Sequence, residues 1–62
     1  MSQFYAKAED EARCLQSSIT RQPIMMMGLT TEGKVASFGG IVQSVENGDR
    51  EYPGYPLQIT MK

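Results

Sequence analysis

Between Glu32-Gly33-Lys34 and Asn47-Gly48, both turn-forming, the chain runs Val35-Ala-Ser-Phe-Gly-Gly-Ile-Val-Gln-Ser-Val-Glu46, rich in β-branched residues. This pattern predicts one long strand over about 35–46. Its alternate positions place Val35, Ser37, Gly39, Ile41, Gln43 and Val45 on one face and Ala36, Phe38, Gly40, Val42, Ser44 and Glu46 on the other. Neither face is cleanly polar, so the strand needs cover on both sides. Gly39-Gly40 removes two side chains in its middle, where a long strand in a small sheet must bend or bulge.

Upstream, Phe4, Ala8, Ala12, Leu15 and Ile19 fall at helical spacing among good helix formers. They predict a helix over about 3–20 whose apolar stripe faces the sheet. A competing reading takes Phe4-Tyr-Ala-Lys-Ala8 as a short strand and starts the helix at Glu9-Asp10-Glu11, since acids in a first turn suit the helix dipole. Pro23 ends the helix. Ile24-Met-Met-Met-Gly-Leu29, apolar on both faces, predicts a strand over about 23–31, and Thr30–Lys34 a hairpin closed by a left-handed Gly33. Asn47-Gly48 predicts a type I′ turn into a strand over about 49–52, and Pro53-Gly54 the centre of a type II turn. Leu57-Gln-Ile-Thr-Met-Lys62 alternates cleanly, which predicts a last strand over about 56–62 with one buried face and an unblunted edge. The fold class is α+β, one domain over 1–62, with an N-terminal helix and an antiparallel meander of three to four strands. The expected core is Leu15, Ile19, Ile24, Met26, Phe38, Val42, Leu57 and Ile59, with Phe38→Ala the most damaging truncation.

Size and composition then limit what such a fold can do. A chain of 62 residues buries only about 60% of its unfolded surface, so it is marginal as a lone monomer. A single cysteine permits no internal disulfide and the absence of histidine leaves no zinc site, which makes self-association the expected staple. The unpaired thiol, the lack of an apolar run of about 20 residues and the acidic N-terminal segment predict a soluble, cytoplasmic chain. Six basic and seven acidic residues give a net charge of −1 without a basic run, which argues against sequence-neutral nucleic-acid binding by a single copy.

A helix followed by sharply bent strands resembles small SH3-like barrels, and Gly33-Lys34 through Gly40-Ile-Val-Gln-Ser-Val-Glu46 resembles the first motif of Sm-like proteins. The resemblance implies a small barrel. It covers about a quarter of the chain, and where the second Sm motif brings a glycine after an apolar strand this chain has Leu57-Gln-Ile-Thr60. The base pockets of that family therefore transfer to no residue here.

Without histidine the usual general base near neutral pH is missing, and no catalytic constellation emerges; neither an enzyme nor a cofactor is expected. Cys14 lies mid-helix beside no activating partner. Glu9-Asp10-Glu11 diverge by about 100° each on a helix and cannot converge on one cation. Gly39-Gly40 lacks the Lys and Ser/Thr of a phosphate loop. The partner-binding candidates are Tyr52, Pro53 and Tyr55, two amphipathic aromatics about a rigid turn, and Met25 and Met27, adaptable thioethers where they point outward. The expected function is a small interaction protein (adaptor, inhibitor or regulator) acting as a homo-oligomer on another protein, a make-up common among small regulators of bacteria and phages. The alternative is a nucleic-acid-binding SH3-like or Sm-like barrel whose assembly gathers Lys34, Arg50 and Lys62 on one face.

Overall fold

The computed structural model describes residues 2–48 and 52–62. Five strands, β1 (Ser2–Ala6), β2 (Ile24–Leu29), β3 (Val35–Gly40), β4 (Val42–Asn47) and β5 (Leu57–Met61), form one antiparallel sheet in the order β3-β2-β1-β5-β4. A 3₁₀ turn (Ala8–Asp10) leads into α1 (Glu11–Thr20), the one α-helix among the described residues. The fold is thus α+β with an antiparallel sheet, one strand richer than expected. The sheet is open, with β3 and β4 at its edges and no pairing between them, so the barrel closure implied by the resemblance is not made.

The expected helix over 3–20 is corrected at its N-terminal third. Residues 2–6 are the central strand, paired with β5 along the whole length from Ser2↔Met61 to Ala6↔Leu57. Phe4 and Ala6 point into the core, fully buried, and Tyr5 is buried on the opposite face. Aromatic residues fit that pleated position, and burial from both sides outweighs the helix propensity of the segment. The competing reading, with a helix starting among Glu9, Asp10 and Glu11, is the one the fold adopts.

α1 also faces the other way from its apolar stripe. Its buried residues are Cys14 and Ser17, whereas Leu15 is 43% and Ile19 78% exposed, so these two leave the expected core. The physical reason is a polar latch. The Ser17 hydroxyl donates to the Gln22 carbonyl at 2.7 Å and accepts from the Val42 N–H at 3.1 Å, while the Cys14 thiol donates to the Met26 thioether at 3.5 Å. Small inward side chains let the helix sit close on β4, and rotating the stripe inward would leave the Val42 N–H buried without a partner. Arg21, left-handed at φ 62°, ends the helix with its N–H on the Ser17 carbonyl.

The long strand over 35–46 is broken in two at Gly40-Ile41. Gly40 takes φ 145°, and a Cβ there would lie 3.0 Å from the Lys62 carbonyl oxygen, so glycine is required where the chain crosses from one sheet edge to the other. A register shift between Val42 and Ser44 then turns Val45 toward the core. Between the sheet faces Phe4 and Phe38 stack with ring centroids 4.0 Å apart, a contact that Gly28 permits, since a Cβ on it would meet the Phe4 ring at 2.4 Å. Phe4, Val42, Ile59 and Met61 are the fully buried large side chains, with Met26 and Leu57 beside them and Ile24, Phe38 and Val45 packed half-buried against them.

The turns follow the sequence in part. Gly33 is left-handed at φ 87° and closes the Thr30–Lys34 hairpin, with the Thr30 N–H on the Lys34 carbonyl at 2.7 Å. Asn47 instead ends β4, and the Gly48 N–H donates to the Pro56 carbonyl at 2.8 Å, so the expected type I′ turn gives way to continued pairing with the approach to β5. Of the strand expected over 49–52, residues 49–51 lie outside the described residues and Tyr52 stands in a bend. Tyr52–Tyr55 is a turn closed by the Tyr55 N–H on the Tyr52 carbonyl at 2.8 Å, but Gly54 lacks the positive φ that a type II turn requires. β5 has one buried face, Leu57, Ile59 and Met61, as its alternation predicts, yet it lies between β1 and β4 and is no edge.

Candidate functional site

The residues available for binding lie on the outer face of β2 and β3. The register Met25↔Gly39, Met27↔Ser37 and Leu29↔Val35 puts these six positions on one face, opposite the Met26, Gly28 and Phe38 face that lines the core. One end of this outer strip is covered. There the Tyr52 ring packs on Tyr5 at 5.4 Å and close to Gly33, and Tyr5 and Leu29 are buried. Toward the other end Met25 is 74% and Met27 59% exposed, while Val35, the cross-strand partner of the buried Leu29, is itself 61% exposed.

β2 meets β1 at Tyr5↔Leu29 alone, which leaves a gap beside its first half. The Arg13 guanidinium bridges that gap by donating to the Met25 carbonyl at 3.0 Å. Next to this bridge lies a groove of about 330 Å³ floored by Met26, Met27 and Gly28 and rimmed by Lys7, Glu9, Asp10, Arg13, Val35 and Tyr55. Its rim mixes both charge signs, so it favours neither an anion nor a cation. Lys7 holds its ammonium 5.9 Å above the Tyr55 ring, a cation–π distance.

Of the residues expected to bind a partner, Met25 and Met27 do point outward, and Met27 and Tyr55 line the same groove. Tyr52 and Tyr55 are half-buried, the Tyr52 ring against Tyr5 and the Tyr55 ring under Lys7. Pro53 is exposed at the tip of the turn. Of the nucleic-acid candidates, Lys34 and Lys62 stand apart within a single copy. Lys34 precedes β3 and Lys62 lies beside Gly40 at its far end, about 17 Å away along a strand of six residues; Arg50 lies outside the described residues.

Sequence reasoning missed Val35, Leu15 and Ile19 as exposed apolar residues. For Val35 the signal was present, since a hairpin closed at Thr30–Lys34 pairs it with Leu29 on the face of the outward methionines. Cys14 is fully buried, and its thiol is held above its ordinary pKa by burial first and by the Asp10 charge second, against the opposing pull of Arg13. Such a thiol is a poor nucleophile. Among the described residues no group of three or more His, Cys, Asp or Glu comes together to hold a metal ion, and no helix is long and apolar enough to cross a membrane. Comparison of the chain with protein-family models, with curated proteins and with solved structures finds no match.

Proposed function

We propose that this chain is a small, non-enzymatic, cytosolic interaction protein that self-associates and binds another macromolecule, most fittingly a protein, through the outer face of β2–β3. The observation that carries this reading is the exposure of Met25, Met27 and Val35, each more than half open to solvent, on one face of the edge strand β3 and its neighbour β2. Exposed apolar side chains sharing one face form the kind of surface that interfaces use, and methionine adapts to irregular partners. The Tyr52–Tyr55 turn flanks the patch and supplies aromatic surface with few rotors to freeze.

The reading is tested by crosslinking and mass spectrometry on a tagged chain in cell extract, compared with a Met25→Lys, Met27→Lys variant. A partner captured by the parent and lost by the folded variant is the expected result. Equal capture by both would move the binding surface elsewhere. The nucleic-acid-binding SH3-like or Sm-like barrel remains the rival reading, supported by the sharp bend of the chain at Gly40. Separation of Lys34 from Lys62 weighs against it for a single copy. Titration of single-stranded RNA and duplex DNA at two salt concentrations separates the two readings, because phosphate-driven affinity falls steeply with salt.

A further inference from the structure

We propose that the free edge of β3 is where two copies of this chain meet, β3 pairing antiparallel with β3 of a second copy about a two-fold axis through Ser37. This deepens the proposed function and rests on its self-association. β3 and β4 are the two sheet edges, and among the described residues no strand pairs with the outer side of β3. β4 is broken by a register shift at Gln43, carries Glu46, and gives its Val42 N–H to Ser17 under α1. β3 reads Val-Ala-Ser-Phe-Gly-Gly, with no charge, no proline and no bulge within it, so it has none of the devices that keep edges apart.

The backbone fixes which register is open. The Thr30 N–H donates to the Lys34 carbonyl, and the register continues as Gly28↔Ala36, Met26↔Phe38 and Ile24↔Gly40, so the even-numbered residues exchange the ladder bonds between β2 and β3. Arg13 reaching the Met25 carbonyl from the opposite side agrees with this alternation. The N–H and C=O groups of Val35, Ser37 and Gly39 therefore face outward from β3. A second copy engages all three residues only when the strand is centred on Ser37, which sets Val35 opposite Gly39 and Ser37 opposite Ser37.

In that register the strand is complementary to itself in size. On the outer face Val35 of one copy stands over Gly39 of the other, where a side chain is missing and the Met25 side chain already lies alongside, 3.5 Å from where a Cβ would be. On the inner face Phe38 stands opposite Ala36 of the second copy. Large meets small at each of these positions, and the serines meet at the axis. This self-match selects a second copy over an unrelated protein, since a two-fold antiparallel pair makes each residue its partner's complement. The interface is small. A standard one buries about 800 Å² per partner, a fifth of the 4133 Å² this chain exposes, and six residues of edge bury less, so the dimer is expected to be weak, with Kd on the order of 10 μM.

The test combines sedimentation over about one to a few hundred micromolar with two variants. Ser37→Cys should form a crosslinked dimer on mild oxidation, because opposed Cα atoms in a hydrogen-bonded pair lie about 5.5 Å apart, within disulfide reach. Cys14 is buried and does not compete, and Gln43→Cys, at an exposed position of β4, gives the collision background. Val35→Lys, at a position already open to solvent, should leave the circular-dichroism spectrum unchanged and weaken association at least tenfold. A dimeric parent whose Ser37→Cys form crosslinks no faster than Gln43→Cys, or whose Val35→Lys form still dimerises, overturns this interface and leaves self-association standing. A parent that stays monomeric at a few hundred micromolar overturns both.

Discussion

Phe4 and Cys14 show how burial, more than residue type, decides what a side chain does here. Phe4 is fully enclosed and stacks on Phe38, which is itself only half-buried. Phe4→Ala is therefore expected to be the more damaging truncation, at about 3–5 kcal/mol, with Phe38→Ala below it; urea unfolding of the two variants checks the order. The reversed order would place Phe38 at the centre of the core, as the sequence pattern predicts. For Cys14, a pKa raised by burial means that the folded protein holds the thiol proton more tightly than the unfolded chain does. Its contribution to stability is full below the thiol's unfolded pKa and is lost as pH rises through the folded one. A thiol reagent near neutral pH should react with native protein only as fast as the protein opens, and a denaturation curve at alkaline pH should show lower stability than at neutral pH. Rapid labelling of the native state would show Cys14 to be accessible.

At the scale of elements, α1 is the clearest test of the structure. Ser17→Ala removes the hydroxyl that accepts from Val42 and donates to Gln22, leaving a buried N–H unpaired, and is expected to destabilise by about 1–3 kcal/mol. Ile19→Ala, on a side chain 78% exposed, should change stability by no more than about 0.5 kcal/mol. Thermal melts of the two variants with the opposite ranking would mean that the apolar stripe faces the sheet after all. That stripe is also where the sequence misleads. Helical spacing of Phe4, Ala8, Ala12, Leu15 and Ile19 is real, but Phe4 belongs to a strand and the helix is held by a serine and a cysteine, residues that hydropathy patterns do not place in a core. Strand patterns were more legible. The β2 segment, the bend at Gly39-Gly40, the Gly33 hairpin and the inward face of β5 all follow from alternation and glycine placement. Pairing order was not legible, because β1 takes the middle of the sheet through contacts with β5 more than 50 residues later. Of the candidate surface, Met25 and Met27 were readable as outward once the strand phase was set by Met26 in the core. The covering of Tyr5 by Tyr52 was not, since it depends on where a distant turn folds back.

For the whole molecule, the amount of exposed surface and its kind point in different directions. A 6.9 kDa monomer is expected to expose about 4,000 Å², and this chain exposes 4133 Å², so the single copy is already folded over its core as fully as its size allows. No surplus surface demands a partner. What is unusual is the exposure of Met25, Met27 and Val35 on one face of β2 and the edge strand β3, so that the proposed association would be a matter of interface chemistry and not a condition of folding. The composition alone suggests the opposite, a chain too small to be secure without a second copy. The two views predict different behaviour on dilution. If the core of Phe4, Val42, Ile59 and Met61 suffices, far-ultraviolet circular dichroism and a cooperative melt should persist at protein concentrations far below the dimer Kd, with the melting temperature rising modestly as concentration increases through that Kd. Val35→Lys should then melt where the diluted parent melts, at every concentration. Loss of the folded signal on dilution would instead couple folding to assembly, as in obligate dimers, and would make the β3 edge part of the fold itself.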